Sequence, residues 1–200
     1  MPKTTAKTRL TEYELEVLDN TPRGECELIA NAEHFDRVVR AGICKAKVSL
    51  DIMTADFKAM LVPIGRGRTA ASIVEIMRSL ANKGVEIRLL HAGTPSGAAL
   101  AELKKGLPKN VTIRRCPRLH AKAIIVDTSL MYLGSANLTG AGLGAKADGK
   151  RNFELGVITS ASPLIEAVLE QFNALYEGER CRKCRRKDIC PVPLEEPTGL

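Results

Sequence analysis

Short apolar runs alternate with longer amphipathic stretches along most of this chain, and that alternation restricts the fold more than any other feature. Ala46 to Met53 sets Val48, Leu50 and Ile52 against Ser49 and Asp51, a period of two that suits a buried strand. Cys26 to Ala30, Val85 to Leu90, Val111 to Cys116, Leu119 to Asp127, Leu130 to Gly134 and Asn152 to Thr159 read as further strands. Helical spacing fills the gaps. Asn31 caps a stretch to about Ala41, with Phe35, Val38 and Val39 on one face. Ala70 to Asn82 carries Ile73, Ile76, Met77 and Leu80 inward and stops at Gly84. Ser96 to Lys105 is a short helix. A last one runs from Ser162 or the following proline to about Tyr176, with Leu164, Ile165, Val168, Phe172 and Leu175 inward.

Strands alternating with helices predict an α/β fold, a mixed β-sheet flanked by helices on both faces. Two hundred residues hold one such domain. The expected division is a loosely held arm over 1–23, the sheet domain over 24–177, and a Cys-rich basic tail over 178–200. Gly65-Arg66-Gly67-Arg68 reads as a flexible basic loop, and Thr139 to Arg151, rich in Gly, Ala and Lys, as a surface loop. Asp127-Thr128-Ser129 should join two strands by a tight turn. With no tryptophan and 4% aromatics, the core must be aliphatic.

The net charge of +7 favours an anionic partner. No apolar run reaches the ~18 residues of a membrane span, and the polar Met1 to Arg9 lacks a signal-peptide core. These features predict a cytoplasmic protein, where six cysteines need a purpose other than disulfides.

The stretch with the most chemistry is His120-Ala121-Lys122, followed by Asp127 and then Gly134-Ser135-Ala136-Asn137. On a strand, residues two apart share a face, so His120 and Lys122 project together. Such a pair is poor core material and good for holding a phosphate. Lysine supplies a fixed charge, and imidazole can attack phosphorus or move a proton near neutral pH. Ser135 and Asn137 on the neighbouring strand can donate to the same phosphate oxygens, and Gly134 lets backbone approach a ligand.

The spacing H-x-K-x4-D-x6-G-S-x-N, met at His120, Lys122, Asp127, Gly134, Ser135 and Asn137, resembles the signature of the phospholipase D superfamily. Asn152 to Val157 resembles the downstream strand whose acidic residue, here Glu154, supports the active-site histidine in that family. The resemblance implies a phospholipase D-like fold over Cys26 to Tyr176, with His120, Lys122, Asn137, Asp127, Ser135 and Glu154 as catalytic-site residues. It also implies a metal-free mechanism: one histidine forms a phosphohistidine, and a second protonates the leaving oxygen. His34 and His91 begin no second motif. The family's short single-motif members pair two copies, so the expectation is a homodimer with one composite site.

Short single-motif members resemble the family's bacterial endonuclease branch. The expected partner is therefore nucleic acid, DNA first, with Arg115, Arg118 and Lys150 contacting phosphates that flank the scissile one. No membrane partner is expected, since no amphipathic anchor is visible. The alternatives are a lipid phosphodiesterase or transphosphatidylase of the same superfamily, and an idle nucleic-acid-binding protein.

Cys181-x2-Cys184-x5-Cys190 with a following proline lies outside the motif. Cys-x2-Cys lets two thiolates reach one metal, and a third can close another coordination position. The pattern resembles the C-terminal iron–sulfur segment of some exonucleases, in which a fourth cysteine comes from far upstream. Zinc is the competing metal, held by the three cysteines with a fourth Cys or a His, and three reduced surface thiols without metal are the remaining alternative. Cys26, Cys44 and Cys116 are all candidates for the fourth ligand.

Overall fold

A computed structural model of the chain describes residues 26–64, 69–186 and 189–190. The arm expected over 1–23, the Gly65 to Arg68 loop and the chain beyond Cys190 lie outside the described residues.

Seven strands form one mixed sheet: β1 (Cys26–Ala30), β2 (Ser49–Thr54), β5 (Glu86–His91), β6 (Val111–Arg115), β7 (Ala123–Val126), β8 (Leu130–Gly134) and β9 (Leu155–Thr159). Their spatial order is β1-β9-β8-β7-β2-β5-β6. β2, β5 and β6 run parallel, and every other neighbouring pair is antiparallel. β2 is the hinge between the two halves and is buried on both faces. Leu50 and Ile52 enter one core, and Met53 enters the other.

The larger core lies under helices α1 (Ile73–Ala81) and α2 (Gly97–Leu103). The opposite face takes α3 (Ser162–Tyr176), whose Ile165 packs on Ile125 and Met131 and whose Phe172 and Tyr176 pack on Met53, Leu90 and Ala123. Helices therefore cover both faces of a single α/β domain, as the alternation predicts. Among the described residues no helix is long and apolar enough to cross a membrane.

Several boundaries differ from the pattern reading. The stretch expected to start helical at Ala70 begins as β4 (Ala70–Ser72), paired with β3 (Leu61–Pro63) in a small hairpin. Ser72 then caps α1: its side chain accepts from Glu75 N and the Glu75 carboxylate accepts from Ser72 N, a capping box. Asn31 does not cap a regular helix. It sits at a φ of 48° and leads into a short π-helical turn, Phe35–Arg40, that buries Val38 and Val39. Thr139 to Gly144 is not a surface loop. Leu143 is fully buried, Thr139 Oγ1 accepts from Gly142 N at 3.0 Å, and only residues 146–150 stand out in solvent.

Two arginines fasten the end of α3 to the sheet. Arg88 on β5 pairs with buried Asp51 at 2.6 Å, donates to Asn173 Oδ1 at 3.0 Å and lies over the Phe172 ring. Arg114 on β6 donates to Tyr176 O at 2.6 Å and covers the Tyr176 ring. Both stack guanidinium on aromatic faces, a geometry lysine cannot reproduce. α3 then ends in a Schellman motif, with Glu179 N donating to Ala174 O at 3.0 Å, Gly178 N to Leu175 O at 3.2 Å, and Gly178 at a φ of 80°.

Candidate active site

The C-terminal ends of β2, β5, β6 and β8 and the starts of β7 and β9 converge on one end of the sheet. Ends of parallel strands are where open α/β sheets bind ligands. His120 and Lys122 lie here, in the extended chain just before β7 rather than inside it. Gly134 N still donates to Lys122 O at 3.1 Å, so the ladder to β8 runs one step past the strand. Lys122 is buried and His120 exposed, with Lys122 Nζ 3.3 Å from one imidazole nitrogen and 3.4 Å from the other. An ammonium can only donate, so in this contact the ring nitrogen accepts.

Asn137 follows β8. Its Oδ1 accepts from Ala55 N at 3.1 Å, Asp56 N at 3.0 Å and Thr54 Oγ1 at 3.3 Å, all at the end of β2. That network fixes the amide orientation, and among the described residues Nδ2 has no hydrogen-bond partner. Thr54 Oγ1 also accepts from Leu138 N at 2.9 Å, which ties the two chain segments together.

Ser135 and Glu154 form a second cluster. Ser135 Oγ donates to Glu154 Oε2 and accepts from Leu155 N. Asn152 Nδ2 donates to the other Glu154 oxygen at 3.0 Å, and Glu154 N donates to Asn31 Oδ1 at 3.0 Å. Within one chain the buried Glu154 carboxylate is thus held by Ser135 and Asn152, not by the His120 ring.

Asp127 lies elsewhere, at the far end of β7. Its carboxylate accepts from the backbone N–H groups of Lys47, Val48 and Ser49 at 2.7–3.0 Å. Burial pushes its carboxyl up, but those three bonds and the Lys47 charge outweigh burial and hold it below its ordinary value. A catalytic-site position for Asp127 does not fit this geometry. It locks the turn after β7 onto β2, and the expected turn is present with Asp127 and Thr128 both at positive φ.

Residues 39–176, more than half of the chain, match the family described as "Cardiolipin synthase, PLD-like domain". The chain belongs to this phospholipase D-like family. No curated protein sequence matches it. Among solved structures it is similar to Nuc, a phospholipase D family member from Salmonella typhimurium, with TM-score 0.55 and 23% identity over 74% of this chain and 93% of that one. NucT from Helicobacter pylori gives 0.56 and 16%, covering 76% and 96%. Phosphatidylserine synthase from Haemophilus influenzae gives 0.56 and 12%, covering 84% and 42%. At these identities the likeness establishes the fold.

The phospholipase D-like site has supports that no motif announces. Tyr132 on β8 points its hydroxyl at Ala136 N, which donates to it at 2.9 Å, holding the turn between Ser135 and Asn137. Burial pushes the Tyr132 phenol up to about 12. Its ring needs Gly134 and Gly156. A Cβ at Gly134 would meet the Tyr132 hydroxyl and come within 2.6 Å of Leu155 O; one at Gly156 would overlap the ring. The room at Gly134 is therefore taken by protein rather than kept for a ligand. His34 packs edge-on against Tyr132, wholly buried, with Nδ1 3.0 Å from Asn31 O and Nε2 without a partner among the described residues. Burial pulls its imidazole below its ordinary range, against the Asn31 carbonyl and the Glu154 and Glu33 charges.

His120 and Ala121 form one wall of an open cleft of about 870 Å³. Among the described residues Arg118, Arg180, Arg182, Lys183 and Arg186 line it, with Glu179 as the one acid. Of the expected phosphate contacts, Arg118 lies in this cleft. Arg115 donates to Ala92 O at 3.1 Å, and Lys150 is exposed in the turn before β9; neither lines the cleft.

Proposed function

We propose that this phospholipase D-like protein is an endonuclease that hydrolyses nucleic-acid phosphodiester bonds as a homodimer. The observation that carries the reading is His120 standing exposed beside the Lys122 ammonium at the mouth of a strongly basic cleft. A chain of phosphates fits that charge distribution better than a single headgroup does.

In this reading one imidazole nitrogen of His120 attacks phosphorus, forming an N–P bond as the P–O bond to the leaving group breaks. His120 of a second copy protonates the leaving oxygen. It then takes a proton from water, whose oxygen displaces His120 from phosphorus. Lys122 and the Asn137 Nδ2 donors stabilise the charge that builds on the phosphoryl oxygens. Glu154, through Ser135, positions the turn that carries Asn137. Arg118 and the tail cations hold the flanking phosphates. No metal takes part in these steps.

The sheet supports pairing of two copies. α3 covers Ile125 and Met131 but leaves Leu28, Leu133 and Leu155 exposed on the β1-β9-β8 part of the face, with Phe153 beside them 97% exposed. This apolar strip runs up to Ser135 and Glu154. Burying it against its two-fold mate would bring two sites together.

A lipid substrate is the second reading. It is favoured by the description of the matched family and by the same strip, which could face acyl chains. The deciding assay offers labelled single- and double-stranded DNA and, separately, phosphatidylcholine and phosphatidylglycerol vesicles, in EDTA, to wild type and His120→Ala. We expect wild type alone to cut DNA, with the variant down on the order of 10³-fold or more. Release of lipid headgroup without DNA cleavage would transfer the reading to lipids.

A further inference from the structure

The three C-terminal cysteines do not hang from the molecule. The Schellman turn at Gly178 reverses the chain after α3, and the arginine clamp on Tyr176 fixes where that reversal starts. Two turns follow. Cys181 N donates to Gly178 O at 2.9 Å, and Cys184 N donates to Cys181 O at 3.0 Å. The second turn spans the whole Cys-x2-Cys unit, so Cys181 and Cys184 lie within one turn of each other. Cys190 comes back to a buried position. All three line the cleft together with His120, and so does Cys116.

Cys116 directly follows β6, with its N–H on His91 O at 2.8 Å and its carbonyl taking Leu119 N at 2.9 Å. The other two cysteines are elsewhere. Cys26 begins β1, at the opposite edge of the sheet from β6. Cys44 sits in the short turn Ile43–Lys45 against the larger core, where burial pushes its thiol up and away from the ligand form.

The structure assigns Cys116, Cys181, Cys184 and Cys190 as a four-thiolate metal site that takes zinc or an iron–sulfur cluster and pins the tail to the loop carrying His120. Four soft thiolates suit either, and the surrounding arginines and lysine offset the negative charge of a thiolate-bound metal. Among the described residues no three such side chains stand ready-made at binding distance, so the site closes as the metal binds. Only three residues lie between Cys116 and His120. The metal therefore sets the position of the cleft's catalytic wall without touching substrate.

The test uses the full chain, purified without oxygen from cells supplied with iron and zinc. Zinc, iron and acid-labile sulfide are measured per chain together with the visible spectrum. We expect either one colourless zinc or a coloured cluster. Cys116→Ser and Cys184→Ser should lose the metal, by at least about 10-fold in affinity, while Cys44→Ser keeps it. Because Cys116 is half-buried, thiol alkylation of the wild type gives a reading that needs no variant. Cys116, Cys181, Cys184 and Cys190 should be protected in the loaded protein and react after metal removal, while Cys26 reacts in both. A metal-free wild type, or a Cys116 whose reactivity ignores the metal, would overturn the assignment. Metal content is read without any substrate, so failure of the nuclease reading leaves this result intact.

Discussion

At the turn end of the β7–β8 hairpin, one carboxylate meets three backbone N–H groups. At the open end, an ammonium meets an imidazole, and the amide nearby has its oxygen bonded to the chain just past β2 and, among the described residues, its N–H groups without a partner. The six motif positions divide between these two ends. The Asp127 end is electrostatically complete and therefore structural. The His120 end carries the Lys122 ammonium beside an exposed imidazole, a pair that suits an anion. A motif read as one catalytic unit thus contains a lock and an open mouth, separated by a four-residue strand.

The comparison can be broken most forcefully at Asn137. Asn137→Asp keeps an oxygen for Ala55 and Asp56 but replaces the free donors with a second acceptor. Turnover should fall about 10²–10³-fold with the melting temperature little changed. A large loss of stability would mean the mouth is structural too. Asp127→Ala should do the reverse, costing about 2–3 kcal/mol in denaturant melts by orphaning three amides, with activity per folded molecule preserved. Asp127→Asn keeps an acceptor and tolerates the positive φ, so its loss should be smaller.

Tyr132→Phe removes the acceptor for Ala136 N and should cost about 1–2 kcal/mol, accompanied by a fall in turnover because the turn before Asn137 loosens. Acid provides the gentlest probe. Asp127 and His34 both titrate below their ordinary values of 3.8 and 6.5 in the folded chain. A depressed value means stability present above the unfolded value and lost as pH falls through the folded one. The His34 contribution should therefore begin to fade below about 6.5 and the Asp127 contribution below about 3.8 in thermal melts, and Asp127→Asn should flatten only the lower part.

Much of the scaffold was legible because its signals are local. β1 and β8 fall on their predicted spans, and Ser96 caps α2 where the pattern starts it. The β3–β4 hairpin was not legible, since its three-residue strands are too short for periodicity to register. Thr139 to Gly144 has loop composition and yet is buried, because it packs over the larger core through Leu143. At the site, the adjacency of His120 and Lys122 follows from spacing alone. The partners of Asn137 are more than 80 residues away, and those of Asp127 nearly as far. No local pattern encodes such contacts. That Cys116 rather than Cys26 lines the cleft with the tail cysteines likewise follows from the sheet order, which places β6 and β1 at opposite edges.

The arginine clamp on α3 also fixes where positive charge gathers. With Tyr176 held to β6 and the chain reversed at Gly178, Arg180, Arg182 and Arg186 leave a fixed point and line the cleft beside His120, whatever the bulk protein concentration. Their influence should follow ionic strength, dying away as the screening length drops below the ~8 Å of physiological salt.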